Sequence, residues 1–320
     1  MEKNAGPQHL IAEDTSRLEA REHETVPQSV AFAIDALRRD NVALLRGVEQ
    51  DDADDVMYQV AGGFDLSDQL EIQAGFADFR GHRKRATRFF MTVNTRGDYQ
   101  VIPAHSEGSH SIGMQLAGFY CFENSTDGGE SILMNVAPDS AAWQQVRELT
   151  HRGIARDGPL TREASLRARA TYGIETTSTA LDEGDQVLAT LDSTIPGLEV
   201  HRVLARARPV HGRILGREQY AYWDSIASYD FDAGEAFIEL LRSNRILRNA
   251  QVPLGVEALD NAYERRVWRS GVDYAALFRC KLTARLAPGE LLIQNNVSWT
   301  HATCNWTPGS GVRRVVAAFA

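Results

Sequence analysis

The sequence lacks any long hydrophobic run. No apolar stretch approaches the roughly 18 residues that a helix needs to span a bilayer. Residues 1–25 are polar and acid-rich, without the apolar core of a secretory signal. These absences predict a cytoplasmic protein that has no membrane partner.

Cysteine is scarce. The chain has three cysteines among 320 residues, Cys121, Cys280 and Cys304, and no two of them have the C-x-x-C spacing of a zinc ribbon. Their number is odd and they lie far apart in the sequence, which argues against a disulfide scaffold. We expect reduced, buried thiols in a reducing compartment.

Positive charge is also in deficit. The 34 Lys and Arg residues are outnumbered by 43 Asp and Glu residues, which gives a net charge of −9. An acidic protein is poorly suited to binding the phosphate backbone of nucleic acids, so we expect no nucleic-acid partner. One basic run, residues 80–88, departs from this balance. We interpret it as a solvated loop before a strand; the alternative is a patch for an anionic partner or substrate.

The rest of the composition, with 43% hydrophobic and 24% charged residues, is that of a globular protein. We predict a weakly ordered head over 1–25 and a single domain over 26–320, mainly β with flanking helices (α+β). An inserted lid or helical segment is expected over about 150–285. The predicted strands cover 42–45, 88–93, 116–122, 131–136, 198–205, 289–294 and 313–319, and the predicted helices cover 26–40, 51–61, 138–149 and 234–249.

One short motif carries metal-binding chemistry. His105 and Glu107 are two residues apart in an extended segment, so their side chains point to the same side. A third ligand from elsewhere would complete a set of two histidines and one carboxylate, which is the usual ligand set of non-haem Fe(II) oxygenases. The H-x-E pattern is common by chance, and a hydrogen-bonded surface pair is the alternative interpretation.

Three further features strengthen the metal interpretation. Ser131 follows a Gly-Gly turn and lies 26 residues after His105, at the start of a predicted strand. His301 lies just beyond a later predicted strand. Arg313 and Arg314 follow it and open the apolar terminal strand. These features occur together, and in this order, much less often by chance than any one of them alone.

In these motifs the sequence resembles the clavaminate synthase and taurine dioxygenase superfamily of Fe(II)/2-oxoglutarate-dependent oxygenases. The family pattern is H-x-D/E, G-G-x-S/T, a distal His, and an Arg followed by apolar residues. The resemblance implies that His105, Glu107 and His301 hold the iron, and that Ser131 and Arg314 hold 2-oxoglutarate. It also implies a double-stranded β-helix (jelly roll) with a lid from the middle segment.

The choice between the two adjacent arginines comes from the resemblance. Neighbouring strand residues face opposite sides, so only one of Arg313 and Arg314 can point into a barrel. The family pattern, in which the arginine directly precedes the apolar run, selects Arg314 and leaves Arg313 as the alternative. Taurine dioxygenase-like enzymes carry a substrate-binding arginine four residues further on, and that position here is Ala318.

The resemblance implies an enzyme that uses Fe(II), 2-oxoglutarate and O2 to oxidise an unactivated C–H bond of a small molecule. Hydroxylation is the default outcome, desaturation or ring closure being the variants, and the substrate is expected to be amino-acid-like or a natural-product intermediate. Two alternatives stay open. One is a non-catalytic jelly roll that binds a metal or small molecule, and the other is a cupin-like dioxygenase that does not use 2-oxoglutarate. The sequence does not indicate an oligomeric state.

Overall fold

The computed structural model describes residues 11–80, 83–93, 100–109, 112–174, 180–220, 226–248 and 263–320. These residues form five α-helices and seventeen strands. The helices are α1 (Val26–Asp40), α2 (Gln50–Gly62), α3 (Ser67–Arg80), α4 (Arg162–Tyr172) and α5 (Phe231–Ser243). The strands are β1 (Ala20–Glu22), β2 (Val42–Arg46), β3 (Met91–Thr92), β4 (Ile102–His105), β5 (Gly108–Ser109), β6 (Ile112–Gly113), β7 (Leu116–Asn124), β8 (Ser131–Val136), β9 (Arg147–Ala155), β10 (Gln186–Leu191), β11 (Leu198–Arg206), β12 (Pro209–Gly212), β13 (Arg217–Tyr220), β14 (Phe278–Ala284), β15 (Leu291–Asn295), β16 (Trp299–Thr303) and β17 (Arg313–Phe319).

Two sheets pack face to face around the candidate site. The larger has six strands in the order β1-β2-β15-β7-β17-β3, and the smaller has four in the order β14-β8-β16-β4. One buried cluster combines Leu44, Leu292 and Val315 of the first sheet with Leu133 and Trp299 of the second. The predicted β-rich fold with flanking helices is therefore confirmed, and the double-stranded β-helix stays a prediction.

Helix α1 forms where the sequence predicts it. Pro27 lies in its first turn, where the missing N–H costs no intrahelical hydrogen bond. Asn41 ends it in the left-handed conformation (φ 63°), and the Asn41 N–H donates to the Leu37 carbonyl at 3.0 Å. The buried face of α1 joins α2 and α3 in one cluster on the outer side of the six-stranded sheet.

The head differs from its prediction over the described residues 11–25. Ile11 is buried, β1 pairs in parallel with β2, and Glu13 forms an ion pair with the buried Lys281. These contacts tie the segment to both sheets, so it is not the weakly ordered head that its polar composition predicts. Residues 1–10 lie outside the described part of the chain.

The bounds of the inserted segment also differ from 150–285. Strand β9 begins at Arg147 and forms a separate three-stranded sheet with β11 and β10. At the other end, β14 pairs with β8 and belongs to the four-stranded sheet, because Cys280 and Leu282 face the core between the sheets. The helix predicted over 138–149 is wrong, since only Ala141–Gln144 forms a 3-10 turn before β9.

Among the described residues, no helix has both the length and the apolar character needed to cross a membrane.

Candidate metal centre and its cavity

Strand pairing brings the two histidines of the predicted site together. Strand β4 pairs with β16, and His105 lies directly opposite His301 in that register. The two imidazole rings lie 4.4 Å apart, centroid to centroid. Glu107 lies two residues after the end of β4, and its backbone N–H donates to Asn296 Oδ1 at 3.0 Å. Residues almost 200 positions apart in the chain therefore meet at one end of the four-stranded sheet.

The three predicted ligands form one compact cluster. One candidate ligand atom from each of His105, Glu107 and His301 lies within 4.8 Å of the other two. The Nε2 atom of His105 is 3.8 Å from Glu107 Oε1. On the other side of the ring, Nδ1 of His105 donates to the Pro103 carbonyl at 2.9 Å. That hydrogen bond fixes the tautomer in which Nε2 is free of a proton and can bind a metal.

The second histidine is also held at Nδ1. Nδ1 of His301 lies 3.2 Å from Gln294 Nε2, and this contact orients the imidazole ring. The ring of Phe119 packs against His301 at 4.9 Å between centroids. Burial, followed by the neighbouring His105, lowers the pKa of His301 to about 3 against the opposing effect of Glu107. His301 is therefore neutral, and able to act as a ligand, throughout the physiological pH range.

The carboxylate and the first histidine affect each other's charge. Burial opposes ionisation of Glu107, but His105 and the Arg83 guanidinium outweigh it and hold the Glu107 pKa well below its usual range. Burial likewise opposes protonation of His105, but Glu107 and the Pro103 carbonyl outweigh it and raise the His105 pKa. Two imidazoles and one ionised carboxylate form the facial donor set that suits Fe(II), so these residues fit the predicted metal.

The cluster lies in the wall of a cavity of about 80 Å³ between the two sheets. Ser131 lines this cavity together with the three candidate ligands. Most of the remaining wall is apolar. The other lining residues are Arg83, Val93, Ile102, Phe119, Leu133, Ala302, Thr303, Arg313, Val315 and Phe319.

The structure corrects the choice between the two arginines of β17. Arg313 lines the cavity, whereas Arg314 is exposed and its guanidinium carbon lies 4.3 Å from the centroid of the Phe122 ring. The expectation that Arg314 faces the cavity is therefore wrong. The physical reason is the alternation of β17, in which Arg313 shares a face with Val315 and Phe319, and these two also line the cavity.

Arg313 is fixed by the Gly-Gly turn that the sequence motif contains. Its Nε donates to the Gly129 carbonyl at 3.0 Å, which fixes one edge of the guanidinium. Burial lowers the Arg313 pKa to about 10, so the group keeps its positive charge at neutral pH. Gly129 has φ 73°, and a Cβ there would lie 2.7 Å from Arg313 Cδ. Glycine is required at this position on both counts.

The sequence motifs assign no specific role to Arg83. It belongs to the basic run 80–88, which we interpreted as a solvated loop, with residues 81–82 outside the described part of the chain. In the structure Arg83 lines the cavity and its Nη2 donates to Glu107 Oε1 at 2.8 Å. The alternative interpretation of the run, a patch for an anionic substrate, was the available signal, but nothing local distinguishes Arg83 from its basic neighbours.

No family model matches the sequence, and no curated protein does. Two solved structures are similar over most of their lengths. One is provisionally described as an alpha-ketoglutarate dependent 2,4-D dioxygenase from Burkholderia xenovorans, with 12% identity, a TM-score of 0.39, and coverage of 99% of this chain and 95% of that chain. The other is AAD-2 in complex with Mn(II) and N-oxalylglycine, with 10% identity, a TM-score of 0.40, and coverage of 97% and 96%. Likenesses this distant carry no conclusion about the chemistry of this chain.

Proposed function

We propose that the protein is an Fe(II)/2-oxoglutarate-dependent dioxygenase of the clavaminate synthase and taurine dioxygenase superfamily, with a double-stranded β-helix core. The observation that carries the proposal is the pairing of two features in one cavity. His105, Glu107 and His301 place their candidate ligand atoms within 4.8 Å of one another, and the Arg313 guanidinium lines the same cavity. A site that only binds a metal has no use for the second feature.

The three candidate ligands have the charge states that metal binding requires. The Pro103 carbonyl holds His105 in the tautomer that exposes Nε2, and the low pKa of Glu107 keeps this carboxylate ionised. His301 stays neutral because of its burial. Bound there, Fe(II) together with 2-oxoglutarate would supply the oxidation of a C–H bond by dioxygen.

The other cavity residues would bind and orient the co-substrate. The Arg313 guanidinium, held through Nε by Gly129, presents a cationic fork that suits a carboxylate, and we assign to it the distal carboxylate of 2-oxoglutarate. The Ser131 hydroxyl lies in the same wall and would donate to that carboxylate. Phe119, Leu133 and Val315 make the wall apolar and would exclude water from the oxidation.

The proposed substrate is an amino-acid-like or natural-product small molecule, with hydroxylation as the default outcome and desaturation or ring closure as variants. Neither the substrate nor the outcome enters the first test, which needs only the metal and co-substrate. Purified protein is mixed with Fe(II) and 2-oxoglutarate without oxygen, and the weak visible charge-transfer band of the iron–keto acid chelate is recorded. We expect a band in the wild type and its loss in Glu107→Ala.

The same experiment separates the two alternatives. Iron binding without a 2-oxoglutarate band in folded wild-type protein would refute the proposal and favour a metal-binding jelly roll or a dioxygenase that does not use 2-oxoglutarate. Oxygen consumption on addition of candidate substrates would then distinguish those two. An exposed carboxylate that does not line the cavity serves as the matched control, and Asp139→Ala should leave the band unchanged.

A further inference from the structure

Arg83 is a second guanidinium in the wall of the cavity, and contacts with Glu107, Met91 and Phe319 fix it there. Its Nη2 donates to Glu107 Oε1 at 2.8 Å, and its guanidinium carbon lies 5.0 Å from the centroid of the Phe319 ring. The side chain is 20% exposed, which leaves part of it open to the cavity. An arginine stacked on an aromatic face and paired with one carboxylate oxygen is an oriented positive group, because both its plane and one of its edges are held.

Arg83 and Arg313 lie near opposite ends of strand β17. Arg83 stacks on Phe319, the last residue of β17, whereas Arg313 is the first residue of that strand. The metal-ligand cluster lies at the Arg83 end, since Phe119 contacts the rings of both His301 and Phe319. Arg83 therefore lies beside the metal-ligand cluster, where it pairs with Glu107, whereas Arg313 is held at the Gly-Gly turn.

The charges of the described lining residues leave one positive charge unmatched. Arg83 and Arg313 are positive and Glu107 is negative, so the lining carries one net positive charge. Under the proposed function, the two positive charges of the metal and the two negative charges of 2-oxoglutarate cancel. Coordination of Glu107 to the metal would also draw the negative charge of this carboxylate toward the metal, and would weaken its neutralisation of Arg83. A further anionic group beside Arg83 would balance the cavity.

We infer that Arg83 and the face of Phe319 form a subsite for one carboxylate group of the substrate. This inference rests on the proposed function and narrows its substrate to carboxylic acids. The guanidinium would bind the carboxylate through charge-assisted hydrogen bonds, while the apolar body of the substrate lies against Phe119 and Phe319. Arg83 is thus a specificity-determining residue of the cavity.

The test compares a carboxylate with its neutral amide in metal-loaded protein. Zn(II), which is redox-inert and accepts histidine and carboxylate ligands, replaces iron. The dissociation constants of 2-oxoglutarate, and then of phenylacetate and phenylacetamide in its presence, are measured by calorimetry. The proteins are wild type, Arg83→Gln, Arg83→Lys and the control Arg88→Gln, which removes an exposed arginine of the same basic run. A Zn(II) titration of each variant checks that the metal site survives.

We expect the wild type and Arg88→Gln to bind phenylacetate at least about tenfold more tightly than phenylacetamide, as a charge-assisted hydrogen bond requires. In Arg83→Gln the two ligands should bind within about twofold of each other. Arg83→Lys keeps the charge without the planar fork, so its preference should be intermediate. The affinity for 2-oxoglutarate should be the same in all four proteins.

Three results would overturn the inference. The first is wild-type protein that binds 2-oxoglutarate but shows no preference for the carboxylate over the amide. The second is a carboxylate preference that persists in Arg83→Gln. The third is a weakened affinity of Arg83→Gln for 2-oxoglutarate, which would place this guanidinium on the co-substrate. Failure of the proposed function gives a separate result, because Zn(II)-loaded wild type would then not bind 2-oxoglutarate at all. The inference would fail with it.

Discussion

Replacing each of the two adjacent arginines of β17 by glutamine measures which of them holds 2-oxoglutarate. Arg313 lines the cavity, and its Nε is held by the Gly129 carbonyl at 3.0 Å. Arg314 is exposed and stacks on Phe122. The two residues have the same chemistry and differ by one position, so each variant is the matched control of the other.

The expected magnitude follows from the burial of Arg313. Removing one partner of a buried, hydrogen-bonded charge pair costs about 2–5 kcal/mol, and the lower part of that range applies because Arg313 is only partly buried. A loss of about 2–4 kcal/mol corresponds to a roughly 30-fold to 1,000-fold weaker binding of 2-oxoglutarate. Arg314→Gln removes an exposed cation–π contact worth about 0.5–1 kcal/mol of folding stability and should leave the affinity unchanged.

The assay is a titration of anaerobic, Fe(II)-loaded protein with 2-oxoglutarate, followed by the charge-transfer band. Thermal unfolding of both variants gives the stability loss independently of binding. If Arg314→Gln loses affinity while Arg313→Gln keeps it, the reasoning from strand alternation is refuted and the assignment implied by the family pattern is restored. If both variants and the wild type bind 2-oxoglutarate with equal affinity, neither arginine of β17 holds the co-substrate.

Two further predictions concern the turn and the metal ligands. Gly129→Ala should weaken 2-oxoglutarate binding at least about tenfold, because its Cβ would displace Arg313. The control is Gly216→Ala, where φ is similar (64°) but no atom lies within 4 Å of the added Cβ, so this variant should lose only about 1–2 kcal/mol of folding stability. Equal losses of 2-oxoglutarate binding in both variants would contradict this prediction. In metal-free protein, NMR titration should give His105 a pKa above about 6.5, the ordinary value for histidine. In Glu107→Gln the His105 pKa should fall below that value, because burial outweighs the remaining hydrogen bond to the Pro103 carbonyl. The sign for stability follows: the His105 contribution is present below about pH 6.5 and is lost as the pH rises through the folded-state pKa, and a wild-type His105 pKa below the ordinary value would refute the ion pair.

The local features of the fold could be predicted from the sequence because they depend on neighbouring residues. Helix α1 has its bounds set by a proline in its first turn and by Asn41 in the left-handed conformation. Strands β8 and β17 have the predicted bounds, and each contains a local run of apolar residues, 132–134 in β8 and 315–319 in β17. The helix expected over 138–149 failed because the pairing of β9 with β11 overrides its local pattern.

The sequence by itself determined the identity of the candidate metal ligands, because the spacing of His105 and Glu107 and the motif around His301 are local patterns. Only the tertiary structure decided what surrounds them. The register of β4 against β16 sets His105 opposite His301, and the face that β17 turns inward selects Arg313. The contact between Arg83 and Glu107 joins segments 24 residues apart. Such arrangements depend on strand register and on side chains meeting across the cavity, and a residue's neighbours in the chain do not specify either.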